Sequence, residues 1–357
     1  MATFSAPARG LILAGAFALV VVVLEATSAI LTPLLLAVFI AIVSSPALAW
    51  MRRKGVPKWI GLAVIAFILL DIGSLIALLA TGALEGFRDS FPTYQERFLL
   101  LSEQLGQWLE GIGMSNSTEA VSDLLDPNQV SRLVSLILSS ASGIFATGFL
   151  VLLATIFILL EAPGFAAKLR AAFDLTAEGE ARIKRLLEVI NRYMRIKSLT
   201  SLGTAVCVWL LLTWLGIDFA ILWALIAFFF NFIPVVGNIL MMIPAVLLAL
   251  VQVGFGTAFA VAVGYLFINT AIGNVIEPRV MGKGMGISTL VVFMSLLFWG
   301  WLFGTVGMFL AVPLTAATVI ALDASPHTRP LAVLLGPEIE PPKDESEDEA
   351  APPRVTP

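Results

Sequence analysis

Two residue types that build most buried chemical sites are nearly missing from this 357-residue chain. It has one cysteine, Cys207, inside an apolar run, and one histidine, His327, in a polar tail. No disulfide framework, zinc cluster or Cys/His nucleophilic pair can be assembled within one chain from that inventory. A GxxxxGK[ST] phosphate loop is also absent, so nothing here powers the chain by nucleotide hydrolysis. Charge is scarce too: 13% of residues are charged, against about 25% in an ordinary soluble domain. With 59% apolar residues and a mean hydropathy of +0.97, a water-soluble fold is excluded. The expectation is an all-α polytopic membrane protein that is not an enzyme and uses no cofactor.

The formal charge of −4 misleads. From Asp323 onward the chain holds eight acids against three bases, which leaves residues 1–322 with 17 acids and 18 bases. The acidity belongs to the segment 323–357, whose prolines and Asp-Glu-Ser-Glu-Asp-Glu run predict a disordered, solvated tail.

The apolar runs Leu11–Leu24 and Ile30–Val43 flank the polar turn Glu25-Ala-Thr-Ser and read as a helical hairpin. A cleaved signal peptide is the lesser reading, because a second apolar run follows at once. Long runs at Ile60–Gly82 and Gly143–Leu160 follow, and after Ser198 the chain is almost continuously apolar to Leu322. About eight membrane segments result, some short; Ile239–Val251 is too short to span untilted and is expected to be a re-entrant or half-helix element. The divisions are 1–82 for three membrane segments, 83–142 outside the membrane, 143–322 for the remaining membrane domain, and the tail.

Arg9, Arg52, Arg53, Lys54, Lys58, the eight bases of Lys168–Lys197, Arg279 and Lys283 make up 15 of the 18 bases before the tail. The other three lie in 83–142 among eight acids. The positive-inside tendency puts that acidic region extracytoplasmic and both termini in the cytoplasm of a bacterial cell, with the chain in the inner membrane.

Within the extracytoplasmic region, Phe87, Phe91, Tyr94, Phe98, Leu101, Leu105, Trp108 and Ile112 alternate at spacings of four and three. This heptad seam wants a helical partner. The stretch after Asp126-Pro127 is one candidate and a neighbouring subunit another. On the other side, 176–198 reads as an interfacial amphipathic helix: Ile183, Leu186, Leu187, Ile190 and Met194 share a face, and its bases, Lys197 included, snorkel or meet anionic headgroups. Nucleic-acid binding is the lesser reading.

Polar residues inside the membrane mark where chemistry sits. Asp71 lies near the middle of the third span, where a charged carboxylate costs about 2.5–3.5 kcal/mol, and should face protein or water. It reads equally as an ion- or proton-coupling group and as a protonated structural carboxyl. The break Asn231-Phe-Ile-Pro234-Val-Val-Gly237-Asn238 should unwind and free backbone groups to line a substrate path; the alternative is a tight turn capped by Asn. Asn269, Asn274, Glu277, Pro278 and Arg279, followed by Met281-Gly-Lys-Gly, repeat the Asn, Pro, Gly order at looser spacing, a hint of internal duplication. Glu277 and Arg279 pair directly only if Pro278 supplies a turn; they read as a salt-bridged gate or as an interfacial anchor. Gly300-Trp-Leu-Phe-Gly304 is a GxxxG suited to close helix contact.

With Pro33-Leu-Leu-Leu-Ala and downstream Pro46, Asn231-Phe-Ile-Pro-Val-Val-Gly, Asn274-Val-Ile-Glu-Pro-Arg-Val-Met-Gly-Lys, Ser288, and Gly304-Thr-Val-Gly with Leu310-Ala-Val-Pro, the chain resembles the autoinducer-2 exporter-like transporters over about residues 10–322. The resemblance implies secondary transport by a homo-oligomer, a pentamer among its forms, of cargo ranging from a small polyhydroxylated signalling molecule to sodium or lithium exchanged for protons. Three expectations stand together: an exporter of a small polar solute through the two breaks, a monovalent cation/proton antiporter using Asp71, and a non-transporting membrane scaffold. Lipids are partners in all three.

Overall fold

The computed structural model describes residues 6–111, 147–162, 164, 168, 177–234, 236–281, 288–326 and 328–336. Every regular element among them is helical. Five helices are long and apolar enough to cross a bilayer, and four shorter apolar helices accompany them.

The expected hairpin is present as α1 (Ala6–Ala26) and α2 (Ser28–Arg53), which part at Thr27. Helix α2 runs through Pro33 and Pro46 without ending. Pro46 has no N–H for the Ile42 carbonyl, and the Ser45 hydroxyl donates to that oxygen instead, at 2.9 Å.

Helix α3 departs from expectation. The third span and the start of the extracytoplasmic region are one 54-residue helix, Lys58–Gly111, with Pro92 inside it. Its inner half packs against α2 and α4 (Thr147–Ala162), where Leu48, Leu62, Ile65 and Leu159 share a core. Of the heptad seam, Phe87 and Tyr94 rest on this same chain, against Phe219 and Trp223. The side chains of Phe98, Leu101, Leu105 and Trp108, together with Ile112 and the stretch after Asp126, lie outside the described residues.

The centre of the fold is α5, Ala177–Trp214, 38 residues long. It packs against α2 and most later membrane elements, and shares an apolar core with the hairpin arm α7 (Val236–Gln252). The boundary expected at Ser198 is absent: amphipathic segment and membrane helix are continuous, because no glycine or proline falls within 180–202 and Ile190 and Met194 are buried beside Phe232 and Leu310. Ile183 and Leu187 stay exposed.

Two helical hairpins flank α5. In the first, α6 (Ala220–Phe230) turns at Asn231–Pro234 into α7. At about 17 and 26 Å, both arms are shorter than the roughly 30 Å hydrocarbon layer. The second is hidden in a nominally continuous helix, α10 (Thr289–Asp323). Gly304, at φ 63° and ψ −146°, breaks it into arms 289–303 and 305–323. That the arms fold back is shown by Trp299, whose indole N–H donates to Thr315 Oγ1, sixteen residues on, at 3.0 Å.

Both turns depend on a missing side chain. A Cβ at Gly237 would lie 1.8 Å from the Phe230 carbonyl oxygen, and one at Gly307 would lie 1.9 Å from that of Trp299. The structural echo of the Asn231 break is therefore Gly304-Thr-Val-Gly307, rather than the expected Asn269–Met281 stretch. The latter forms α8 (Phe255–Asn269), a π-helical turn Thr270–Ile276, and the short α9 (Glu277–Met281).

The tail expected from residue 323 opens as a helix. An apolar run with proline in its first turn forms α11 (Arg329–Leu335), which buries Ala332 and accepts the Ser288 N–H at the Leu335 carbonyl. Residues 337–357 lie outside the described residues.

Candidate functional site

One face of α5 carries a polar stripe: Tyr193, Lys197, Thr200, Ser201 and Thr204, all buried. Their spacing follows the helical repeat, so they stack along one line down the helix. In an otherwise apolar interior such groups are costly unless they are paired.

Three elements meet this stripe. Lys197 Nζ donates to both oxygens of Glu277, at 2.8 and 2.9 Å, with the lysine side chain 6% and the glutamate 15% exposed. One turn further in, Asn231 Nδ2 donates to Ser201 Oγ at 3.0 Å, and Asn231 is itself buried. The π-helical turn closes the third side: Ile272 approaches Gly203, and Asn238 lies against Gly273. A π turn is wider than an α turn and leaves its carbonyls less tightly engaged, and such turns occur often at functional sites. Arg192 donates to the Met281 carbonyl at 2.8 Å, fastening the far end of α9 to α5.

Several buried polar atoms in this region make no hydrogen bond within the chain: Tyr193 Oη, Thr204 Oγ1, Asn238 Oδ1 and Asn269 Oδ1. An unmet donor or acceptor in a protein interior costs about 1–3 kcal/mol. The seam thus offers unused hydrogen-bonding capacity beside a matched ion pair, an arrangement suited to holding a small polar molecule.

The sequence-predicted residues divide accordingly. The structure brings Asn231, Gly237 and Glu277 into or against the seam, with Pro234, Asn238 and Asn269 half-buried around it. Asn274 and Arg279 are exposed. Glu277 pairs with Lys197 rather than with Arg279: Glu277 and Arg279 both belong to α9, where residues two apart point to different sides. Lys197, read from sequence as a headgroup contact, is 5% exposed and does not snorkel. Asp71 is exposed on α3 among the exposed Phe67, Ile68, Leu70, Ile72 and Leu75, away from the chain's own core. Tyr193, Ser201 and Thr204 were missed, although the interval series 193, 197, 201, 204 was a readable signal.

At the other end of α5 lies an open cavity of about 640 Å³, lined by Leu78 and Leu79 of α3, Trp209 and Thr213 of α5, and the loop 216–221. In this loop Phe219 takes a left-handed backbone (φ 59°), which is strained for a bulky side chain. Its ring packs edge-on against Phe87, at 5.6 Å, and meets α3 where Gly86 leaves room. Beside it the Tyr94 hydroxyl donates to Asp218 Oδ2 at 2.6 Å. Gln252 accepts from the Asp218 N–H and donates to the Gly216 carbonyl, while Arg97 donates to the Gln252 carbonyl. Burial first, then Asp218, pushes the Tyr94 phenol up to about 12.

A sequence profile of AI-2E family transporters matches residues 11–327. The AI-2 transport protein TqsA of Escherichia coli K12 is 37% identical over 306 residues, covering 86% of this chain and 89% of its own length. A Haemophilus influenzae protein, whose name assigns it to transport only provisionally and without a cargo, is 41% identical over 318 residues, covering 86% and 90%. The multi-pass helical architecture, the apolar composition and these likenesses converge: the chain is a transport protein of the bacterial inner membrane and belongs to the AI-2E transporter family.

Proposed function

We propose that this protein is a secondary-active carrier that exports a small polar solute, of the kind represented by the signalling molecule autoinducer-2, along the seam between α5, the two hairpins and the π-helical turn. The observation that carries the reading is the stripe Tyr193–Lys197–Ser201–Thr204, which meets Asn231 and Glu277 and, with Asn238 against the neighbouring π-helical turn, leaves several hydrogen-bonding atoms unused. A polyhydroxylated solute supplies what those atoms lack. The Escherichia coli relative's name carries AI-2 as its cargo, which makes autoinducer-2 the first solute to try.

Broken helices and short hairpins at membrane depth are tolerated where they line a polar path, and they form binding sites in carriers. Asn231, Pro234, Gly237, Asn238, Asn269 and Glu277 are the path residues in this reading, joined by Lys197 and Ser201. The chain works as a homo-oligomer with both termini cytoplasmic. Asp71 lies on the outer surface of α3, so its position lends no support to an antiporter built on that carboxylate.

The test is flux through purified protein in liposomes. Labelled autoinducer-2 inside protein-containing vesicles should leave faster than from protein-free vesicles, and unlabelled solute outside should accelerate the exchange. Equal rates with and without protein would overturn the reading.

A further inference from the structure

The ion pair at the end of the π-helical turn does more than hold two helices together. We propose that Glu277 is the coupling site of the carrier, a carboxylate for which the solute and a proton compete, so that export of solute is exchanged for uptake of a proton. This rests on the transport reading above.

Burial, partners and surroundings support it. Both Glu277 oxygens are engaged by one ammonium group, Lys197, deep in the chain. Removing two charges from water is costly, and the geometry offsets that only while both charges are present and matched. A buried pair of this kind within a membrane helix bundle marks an ion or proton path by default. Tyr193 precedes Lys197 by one turn on the same face; its hydroxyl is buried, unpartnered, and within electrostatic reach of Glu277. It is the acceptor that an ammonium displaced from Glu277 finds.

No other acid competes for the role among the described residues packed here. Around the pair, α5 presents Arg192 and Tyr193, and α9 presents Arg279, which is exposed. Helix α6 and the π-helical turn carry no titratable side chain. Helix α8 offers only Tyr265, α2 only Arg52 and Arg53 at its end, and α10 only Asp323 at its end. Glu277 is also the more exposed partner, 15% against 6%.

The exchange follows from hydrogen-bond inventory. As a carboxylate, Glu277 accepts from solute hydroxyls, while the Lys197 ammonium donates to a solute oxygen; the solute wedges between two charges that each keep a partner. When a proton binds Glu277, an O–H bond forms and the carboxyl group loses much of its accepting power, toward the solute hydroxyls and toward the ammonium alike. The solute leaves, and the ammonium is retained by Tyr193 Oη. One proton is taken up for each solute released, with no other bond made or broken. Binding of solute and binding of proton exclude each other at one carboxylate.

Two measurements decide it. In wild-type proteoliposomes, competition predicts that the apparent KM for autoinducer-2 rises as pH falls, with a limiting slope of about tenfold per pH unit and kcat unchanged. A KM independent of pH overturns the proposal without any variant. In the second measurement, Glu277→Gln removes the proton site and keeps an acceptor oxygen. As a neutral stand-in for the protonated state, this variant should hold the apparent KM for solute exchange at the raised value the wild type shows at low pH, whatever the pH, while accumulation driven by a pH gradient, and the matching signal of an entrapped pH-sensitive dye, should fall at least about tenfold. Glu277→Asp should restore both. Gradient-driven accumulation that persists in Glu277→Gln overturns the proposal. Absence of solute exchange in the wild type overturns the transport reading itself, a different and separately visible failure.

Discussion

Phe232 lies flat against Phe309, ring centroids 4.2 Å apart at an interplanar angle of 30°. One residue belongs to the turn of the first hairpin and the other follows the turn of the second, so the two broken elements meet tip to tip beside α5. Truncating either ring to alanine should destabilise the detergent-solubilised protein by about 3–5 kcal/mol. The double variant should lose less than the sum by about 0.5–1.5 kcal/mol, the worth of an aromatic contact beyond its area. Thermal unfolding of the four proteins measures that difference, and strict additivity would mean that the tips do not cooperate.

The Lys197–Glu277 pair should behave asymmetrically. Lys197→Met strands a carboxylate and should cost about 3–5 kcal/mol, whereas Lys197→Met combined with Glu277→Leu should recover most of that loss while abolishing flux. Melting temperature and solute exchange, read together on the same preparations, separate the structural part of the pair from the transport part.

Gly304 and Gly307 form the second turn for different reasons. Gly304→Ala forces a side chain into backbone angles that only glycine takes readily, at a cost of about 1–3 kcal/mol. Gly307→Ala places a Cβ 1.9 Å from a backbone oxygen, so the turn itself must open. The expected order of folded yield by size-exclusion chromatography is wild type, then Gly304→Ala, then Gly307→Ala. Gly15→Ala, where nothing lies within 4 Å, serves as the neutral control.

At the outer junction, the raised Tyr94 phenol stabilises the fold while it is protonated. That contribution is complete below the ordinary tyrosine value near about 10 and is lost as pH rises through about 12. Tyr94→Phe should remove it and cost about 1.5–3 kcal/mol, as for a hydrogen bond to a charged group. The melting temperature of wild type should therefore converge on that of Tyr94→Phe in strong alkali, and curves that stay parallel would rule the contact out as a source of stability.

Glycine and proline punctuation made much of the fold legible. Asn231–Gly237 announces a break because backbone freedom and missing donors act within a few residues, whereas Gly300–Gly304, read as a helix-contact motif, ends at the second turn. The same logic failed in α3: Gly82, Gly86 and Pro92 look like a boundary, yet the helix runs on through all three. Gly86 instead makes room for Phe219. The central ion pair was illegible for another reason. Eighty residues separate Lys197 from Glu277, and a lysine at the end of a basic stretch has the same local pattern whether it meets lipid or a buried acid. Only burial tells them apart, and burial is a property of the packed chain. The stripe of hydroxyls following Lys197 at helical spacing was the available clue.

The uninterrupted run of α3 gives the molecule a sidedness that an experimenter can use. Its apolar stretch ends near Leu79, and the 32 residues from there to Gly111 extend about 48 Å at 1.5 Å per residue. On the orientation that the charge distribution predicts, this extension stands on the extracytoplasmic face. Protease added outside sealed vesicles will trim it from chains inserted one way and spare those inserted the other. The inside-out fraction of any reconstitution can therefore be counted on a gel, and a measured flux can be assigned a direction.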